Sequence, residues 1–255
     1  MFKGIKWKIL NIILKIPINN NFIKNIEKFI YFYKGQGWEF NTINNEVNSC
    51  ITLLKREPNI FIDIGANKGL YTKKVLENTS NNTEFYLFEP SSYNYKYLKK
   101  LFPESKFIIN NVALSKNKEK KSLYSDKKGS GLSSLTQRKL NHHNIELNQI
   151  EEVEVIRFDQ YWVNKDKIID YVKIDVEGHE LDVLEGFGDL IHKTKLIQFE
   201  FGGCNIDTKT YFQDFWYFFI DKNFLLYRIT PRGPKLIDSY SEALECFLTT
   251  KLEIN

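Results

Sequence analysis

The sequence contains little of what stabilises small secreted domains. Its 255 residues include three cysteines, one methionine and six prolines. The cysteines lie far apart, at positions 50, 204 and 246, and form no CxxC pair, so neither a disulfide framework nor a zinc site is predicted. We expect a cytoplasmic protein, because free cysteines suit a reducing compartment.

Long hydrophobic runs are also missing. The most apolar early stretch, residues 9–18, has about half the length of a membrane span and contains Asn11 and Lys15. Lysines precede it, as in a signal peptide, but no small-residue cleavage site follows. We therefore expect an unprocessed chain without a transmembrane helix.

The chain has no large excess of charge of one sign. Its 36 basic and 32 acidic residues give +4, which is too weak to favour a nucleic-acid partner. The charge is uneven, however, since residues 1–34 carry seven lysines and one glutamate, and residues 116–139 also sum to +6. Residues 1–16 therefore suit peripheral contact with an anionic membrane, packing on a partner subunit, or packing on the rest of the chain.

Two regions differ in their hydrophobic pattern. Residues 1–57 predict an N-terminal helical extension, with helices near 5–16, 21–33 and 44–55. Residues 58–255 instead alternate short apolar runs with helical stretches, which indicates a second, α/β domain. A polar, Lys-rich insertion at 115–154 interrupts this rhythm and is predicted to be a functional or disordered loop.

The alternation in the α/β domain predicts a Rossmann-like fold. The predicted strands are 60–64, 84–89, 106–110, 170–175, 195–200, 224–229 and 245–250. The predicted helices between them are 70–77, 93–101, 181–186 and 211–221. This order fits a doubly wound, mostly parallel sheet of seven strands, with helices on both faces and one antiparallel edge strand.

Glycines follow the first predicted strand, in Asp63-Ile-Gly-Ala-Asn-Lys-Gly69. Ligands of open parallel sheets bind beyond the carboxyl ends of the strands. The spacing here is G-x-x-x-G, which does not favour a dinucleotide pyrophosphate, and Asp63 would attract a cationic ligand. Glu89 ends the next strand, where a carboxylate can accept hydrogen bonds from ribose hydroxyls, as it also does in NAD sites. Together these residues predict a cofactor that contains a nucleoside.

Four segments carry a resemblance to a known family, and they are Phe61-Ile-Asp-Ile-Gly-Ala-Asn-Lys-Gly-Leu-Tyr-Thr72, Leu87-Phe-Glu-Pro90, Asn111-Val-Ala-Leu-Ser115 and Val172-Lys-Ile-Asp-Val-Glu-Gly-His-Glu180. These segments resemble the FkbM-type methyltransferase family. Gly131-Leu-Ser-Ser-Leu135 also looks like that family's Ser-Leu motif. The similarity covers about residues 58–201.

The resemblance implies a class I methyltransferase that uses S-adenosylmethionine and releases S-adenosylhomocysteine. It places Asp63, Gly65 and Asn67 beside the methionine part, and Glu89 at the ribose. Asn111 and Val112 would lie near the adenine.

Candidates for chemistry cluster after the predicted strand 170–175. Asp175 ends this strand and should face the cleft, and His179 is a candidate general base because an imidazole can exchange a proton near neutral pH. Acidic residues at the start of a helix also interact favourably with the helix dipole, which would explain them without any catalytic role. We expect Glu180 to orient the turn. Asp175 and Glu200, on adjacent strand ends, could hold Mg²⁺, although a metal is not favoured. We expect the adjacent His142 and His143 to be exposed.

The acceptor is predicted less directly. Family tendency implies a sugar hydroxyl, in a nucleotide-linked sugar or in a surface polysaccharide. If the Lys-rich insertion covers the cleft, Lys127, Lys128, Ser130 and Arg138 would meet a phosphorylated sugar, and Glu200 would also contact the acceptor. Three alternatives stay open: a small-molecule (polyketide-like) methyltransferase, an RNA methyltransferase and a non-catalytic cofactor-binding module. A homo-oligomer is compatible with the sequence.

Overall fold

The computed structural model describes residues 19–38, 42–80, 82–163, 166–247 and 250–251. The predicted helix at 5–16 lies outside these residues. The other two predicted N-terminal helices are confirmed as α1 (Asn20–Tyr33) and α2 (Thr42–Leu54), with the two-residue strand β1 (Gly37–Trp38) between them. The Asn19 side chain accepts from the Asn21 N–H at 2.8 Å and caps α1.

A parallel sheet forms the centre of the protein. Its spatial order is β4-β3-β2-β8-β9. These strands are β2 (Ile60–Ile64), β3 (Glu84–Phe88), β4 (Phe107–Asn110), β8 (Ile169–Ile174) and β9 (Thr194–Phe199). Every residue of β2 and β8 is buried, because helices cover both faces of the sheet and the strands are nearly continuous apolar runs.

The helices between the strands pack on opposite faces. They are α3 (Leu70–Leu76), α4 (Ser92–Leu101), α5 (Phe158–Tyr161), α6 (Glu180–Gly186), α7 (Cys204–Thr208) and α8 (Phe212–Ile220). One buried core contains Ile62, Val172 and Phe215, and the other contains Phe61, Val75 and Tyr171. The aromatic run on α8 is therefore core packing, since four of its rings are buried.

The predicted count of seven strands in this sheet is not confirmed. In the part of the chain that the structure describes, the sheet has five strands, all parallel. The sixth predicted strand, β10 (Leu226–Thr230), pairs instead with β11 (Gly233–Ile237) across a tight turn, as a separate antiparallel hairpin. Among the described residues of the seventh predicted segment, strand structure is found at Thr250, which belongs to β12 (Thr250–Lys251), and β12 pairs with β1.

The insertion is more ordered than its composition indicated. Together, β5 (Ala113–Leu114), β6 (Glu119–Ser125) and β7 (Gln149–Ile156) form a three-stranded sheet, in which β6 and β7 are antiparallel. The expectation of a loop was wrong here, because the polar side chains of β6 and β7 are mostly solvent-facing and mask the period of two. An isolated bridge between Tyr124 and Ser134 folds the Ser-Leu motif back onto β6.

Candidate active site

A cleft opens at the carboxyl ends of β2, β3 and β8. Its cavity volume is about 70 Å³, and its lining includes Gly65, Glu89, Val112, Asp175 and residues 130–131 and 133–135. Segments that are far apart in the sequence therefore meet where ligands of open parallel sheets bind.

The loop after β2 forms one side of the cleft. Gly65 has φ +82°, and its N–H donates to the Phe88 carbonyl at 2.9 Å. A Cβ at Gly65 would lie 1.9 Å from the carbonyl oxygen of Asp175. Only glycine allows β2 and β8 to approach in this way, so Gly65 fixes the width of the cleft.

Glu89 is buried at the end of β3 and is held by backbone donors. Its carboxylate accepts from the Asn67 N–H at 2.7 Å and from the Ser91 N–H at 2.9 Å. Burial raises the pKa of Glu89 to about 7, although these two amides act in the opposite direction. The carboxylate oxygens keep free lone pairs, so Glu89 can accept hydroxyl donors from a ligand.

The other predicted cofactor residues take different places. Asn67 and Val112 line the cleft. Asp63 is buried outside the lining and accepts from the Thr72 hydroxyl, and burial raises its pKa. The Asn111 side chain also lies outside the lining and donates to the carbonyls of Glu89 at 3.0 Å and Pro90 at 2.8 Å. Asp63 and Asn111 therefore shape the loops of the cleft, and their expected ligand contacts stay predictions.

The Ser-Leu motif also lines the cleft, and its Gly131 lies close to the Asn67 side chain of the loop after β2. Ser130 lies in the wall, where its hydroxyl donates to Asp126 and accepts from the Leu132 N–H. Lys127 and Lys128 are exposed and lie outside the lining. Arg138 is bound between the carboxylates of Glu177 and Asp207. Of the four residues predicted to meet a phosphorylated sugar, the structure brings only Ser130 into the cleft.

The turn after β8 presents acidic groups to the cleft. Asp175 and Glu177 line it, and Glu177 has φ +56°. Burial raises the pKa of Glu177 to about 7, against the effect of Arg138. Buried Glu180 accepts from the N–H groups of Val176 and Gly178, both at 3.1 Å, so its expected role in orienting the turn is confirmed.

His179 lines the cleft and is bound through both ring nitrogens. Nδ1 lies 2.9 Å from the Asp182 carboxylate, and Nε2 lies 3.0 Å from the Thr136 hydroxyl. The His179 hydrogen bond and Lys116 lower the pKa of Asp182 to about 2, so this carboxylate is ionised at neutral pH. An ionised carboxylate only accepts hydrogen bonds, so in the neutral ring Nδ1 must carry the proton and donate to Asp182. The other nitrogen, Nε2, then has a free lone pair that can accept a proton from the Thr136 hydroxyl side.

Lys173, which the sequence analysis missed, connects Asp175 with Glu200. Its ammonium lies 3.2 Å from Asp175 and 2.9 Å from Glu200, and the Lys173 side chain is only 2% exposed. Burial alone would lower the pKa of Lys173, but the two carboxylates outweigh it and raise that pKa. Burial and the nearby Glu200 also hold the pKa of Asp175 well above its usual range.

Behind Lys173 lies a buried polar network on α2, β8 and β9. The Gln198 amide oxygen accepts from the Tyr171 hydroxyl at 2.7 Å and from the Cys50 thiol at 3.1 Å, and its amide nitrogen donates to Glu46 at 2.6 Å. The available sequence signals were Lys173 and Gln198, which lie inside predicted strands, because a polar side chain buried in a strand needs a partner.

The predicted metal pair does not fit a bound ion. The described residues contain no cluster of three or more His, Cys, Asp or Glu side chains arranged for a metal. Asp175 and Glu200 already share the Lys173 ammonium, which stands where Mg²⁺ would have to bridge them. Glu200 is half exposed and lies outside the cleft lining. His142 and His143 are exposed, as expected.

Comparison with known proteins adds one finding. The family model named Methyltransferase FkbM domain matches residues 63–228, which is more than half of the chain. No curated protein and no solved structure gives a significant match.

The described residues contain no helix long and apolar enough to cross a membrane.

Proposed function

The chain belongs to the FkbM methyltransferase family, and on this premise we propose that it is an S-adenosylmethionine-dependent O-methyltransferase that acts on a sugar hydroxyl. The observation that carries the proposal is the cleft itself, where Glu89 and the Gly65 loop face Asp175 and His179. A site for a nucleoside and a site for proton removal therefore share one opening.

The lining of the cleft fits a cationic cofactor. It contains three carboxyl groups, those of Glu89, Asp175 and Glu177, and no lysine or arginine among the described residues. Burial raises the pKa of each, and a bound cation would favour their ionised forms. Asn94 also lines it, and its buried Oδ1 has no hydrogen-bond partner in the described part of the chain, which leaves an acceptor for a ligand. When bound, S-adenosylmethionine would supply an electrophilic methyl group on a positively charged sulfur.

Proton removal falls to His179. An acceptor hydroxyl that replaces Thr136 as the partner of Nε2 would give up its proton there while its oxygen gains the methyl group. Asp182 holds the ring through Nδ1 and stabilises the imidazolium that results. Asp175, on the same side of the cleft, is the residue we assign to orienting the hydroxyl.

A sugar acceptor is supported by family tendency and by the hydroxyl and carboxylate groups of Ser130, Ser133 and Glu177 in the wall. The part of the cleft lining that the structure describes offers no lysine or arginine for a diphosphate, so a hydroxyl of an uncharged glycan suits it better than the phosphates of a nucleotide-linked sugar. We place the reaction in the cytoplasm, because Cys50, Cys204 and Cys246 are all free thiols.

Binding of S-adenosylhomocysteine, measured by calorimetry, tests the cofactor. We expect wild type to bind, and Glu89→Gln to bind about 10- to 100-fold more weakly, because a charge-assisted hydrogen bond contributes about 1.5–3 kcal/mol. Glu152→Gln is the matched control, since Glu152 is exposed on β7 and forms a surface ion pair with Lys120. Equal affinities of wild type and Glu89→Gln, with both proteins folded, would remove Glu89 from the site.

Methyl transfer from labelled cofactor then tests the acceptor. The panel would contain glycans, nucleotide sugars, polyketide-like phenols and RNA. We expect label on a glycan or nucleotide-sugar hydroxyl. Label only on RNA or on phenols would overturn the sugar assignment and leave the transferase intact, whereas no cofactor binding by folded wild type would overturn the transferase itself.

A further inference from the structure

A second and larger cavity lies beside the cleft. Its volume is about 840 Å³, within the range of about 300–1,000 Å³ that is usual for ligand sites. Every residue of β9 and of β10 lines this cavity, together with residues of α2 that include Thr42 and Glu46. We call it the β9 groove. It is large enough for more than one sugar ring.

The β9 groove adjoins the cleft. Glu177 lines both cavities. The Ser-Leu motif also borders both, since Leu132 lines the groove while Gly131 and Ser133 line the cleft. A molecule that presents a hydroxyl in the cleft can therefore continue past Glu177 into the groove.

Two residues that the sequence analysis assigned to the acceptor lie in this groove. Arg138 and Glu200 are outside the cleft lining, but both line the β9 groove. Arg138 also contacts Glu177, the residue that the two cavities share. The acceptor contacts predicted for Arg138 and Glu200 thus fit the groove and not the cleft.

The groove concentrates buried polar atoms that lack a partner. In the part of the chain that the structure describes, six buried side-chain nitrogen or oxygen atoms have no hydrogen-bond partner. Three of them belong to residues that line the groove, and they are Thr42 Oγ1, Arg138 Nε and Arg228 Nη2. Arg138 Nε is 3.5 Å from the Asp207 carboxylate, without the geometry of a hydrogen bond. Because buried polar atoms are normally hydrogen-bonded, the groove suits a ligand that supplies oxygen atoms at several points.

Arg228 on β10 is the clearest of these donors. Lys195, another cation of the lining, pairs with Asp170 at 3.3 Å, whereas no described carboxylate acts on Arg228, and burial lowers its pKa. The Arg228 guanidinium lies 5.5 Å from the centre of the Phe212 ring, which also lines the groove. An aromatic ring beside hydrogen-bond donors matches a sugar, which has an apolar CH face and hydroxyl oxygens at its rim.

We propose that the β9 groove binds the sugar units next to the one that is methylated, so that the acceptor is a glycan chain of several units rather than a monosaccharide or a phenol. This inference rests on the proposed sugar O-methyltransferase and defines the size of its acceptor. The carboxylates of the groove do not oppose it, because Glu46 and Glu200 already accept from Gln198 and Lys173. The unpartnered donors would bind ring and hydroxyl oxygens of the chain.

Binding to an array of neutral oligosaccharides of one to six units, with and without S-adenosylhomocysteine, tests the proposal. We expect wild type to bind six-unit chains at least about tenfold more tightly than single units of the same sugar, because only the chains reach the groove donors. Arg228→Met should lose about tenfold or more in affinity for the six-unit chains and keep its affinity for single units and for S-adenosylhomocysteine. Arg232→Met is the matched control, since Arg232 is exposed in the turn of the same hairpin, over the Tyr33 ring.

Folding is the second readout. Arg228→Met removes a buried charge that no described carboxylate balances, and methionine keeps an apolar contact with Phe212. The unfolding midpoint of Arg228→Met should therefore not fall below that of Arg232→Met. A lower midpoint would mean that Arg228 stabilises the fold through another part of the chain, and would overturn its assignment to the ligand.

Three binding results would also overturn the proposal. The first is no binding of any oligosaccharide on the array by folded wild type, and the second is equal affinity for single units and six-unit chains. The third is full retention of the six-unit affinity by Arg228→Met. Failure of the proposed transferase is a separate result, because wild type would then bind no S-adenosylhomocysteine while its preference for long chains still identifies the groove as a glycan site.

Discussion

Glu89 and Asp175 both follow a parallel strand at the same edge of the sheet, yet they are held in different ways. Glu89 accepts from two backbone N–H groups, those of Asn67 and Ser91, which belong to the loops after β2 and β3. Asp175 shares the Lys173 ammonium with Glu200 of the neighbouring strand. The Glu89 side is thus built by backbone, and the Asp175 side by charged side chains from several elements.

This difference determines which substitutions disrupt each side of the cleft. Substitutions that change only a side chain leave the backbone N–H donors in place, so the Glu89 side depends on the φ and ψ angles of its glycines. The Asp175 side depends on charge balance, because its carboxylates need the buried lysine. The predictions that follow test this contrast, from the largest expected effect to the smallest.

Gly65→Ala should have the largest effect, because the two sides touch at this residue. The new Cβ would lie 1.9 Å from the Asp175 carbonyl oxygen, at a φ of +82° that alanine disfavours. We expect a loss of about 4 kcal/mol or more in the free energy of unfolding, measured by urea denaturation. Gly202→Ala is the control, since nothing lies within 4 Å of its added Cβ. Equal stability of the two variants would contradict this account of the cleft.

His179→Ala should affect the rate rather than the fold. Loss of the general base is expected to lower kcat by about 10²- to 10⁴-fold while S-adenosylhomocysteine binding is retained. Asp182→Asn should lower kcat less, because His179 keeps Nε2 and loses only the carboxylate that orients its ring. His142→Ala, at an exposed position, should leave kcat unchanged. An unaltered kcat in His179→Ala would assign proton removal to another residue.

Lys173→Met should show the dependence of the Asp175 side on charge. Two carboxylates would lose their shared cation, which we expect to cost about 2–3 kcal/mol in the free energy of unfolding. This loss in the free energy of unfolding is at the low end for a buried ion pair, because Asp175 and Glu200 are partly exposed, at 37% and 51%. Lys120→Met, in an exposed pair with Glu152, should cost less than about 1 kcal/mol. Similar losses in the two variants would mean that Lys173 has no special role.

The same contrast explains what the sequence could predict. The order of strands and helices from 60 to 110 and the cleft positions of Gly65, Asn67 and Glu89 follow from local patterns, since each strand and the loop after it are contiguous. Lys173 was missed because its partners Glu46 and Glu200 are brought to it by other elements of the fold. The strands β6 and β7 were missed because their exposed side chains carry little hydrophobic signal.

The smallest expected effect is a pH dependence specific to the Glu89 side. Burial raises the folded-state pKa of Glu89 to about 7, above the ordinary value of 4.5, so between these values the folded protein binds more protons than the unfolded chain. Stability from this group is therefore greatest below about pH 4.5 and falls as the pH rises towards about 7. Glu89→Gln cannot titrate and should lack this contribution, whereas Glu177, whose pKa is also about 7, is retained in both proteins and cancels in the difference. We expect Glu89→Gln to gain stability relative to wild type between about pH 5 and pH 8 in urea denaturation. A constant difference across that range would mean that Glu89 is no harder to ionise in the folded protein than in the unfolded chain.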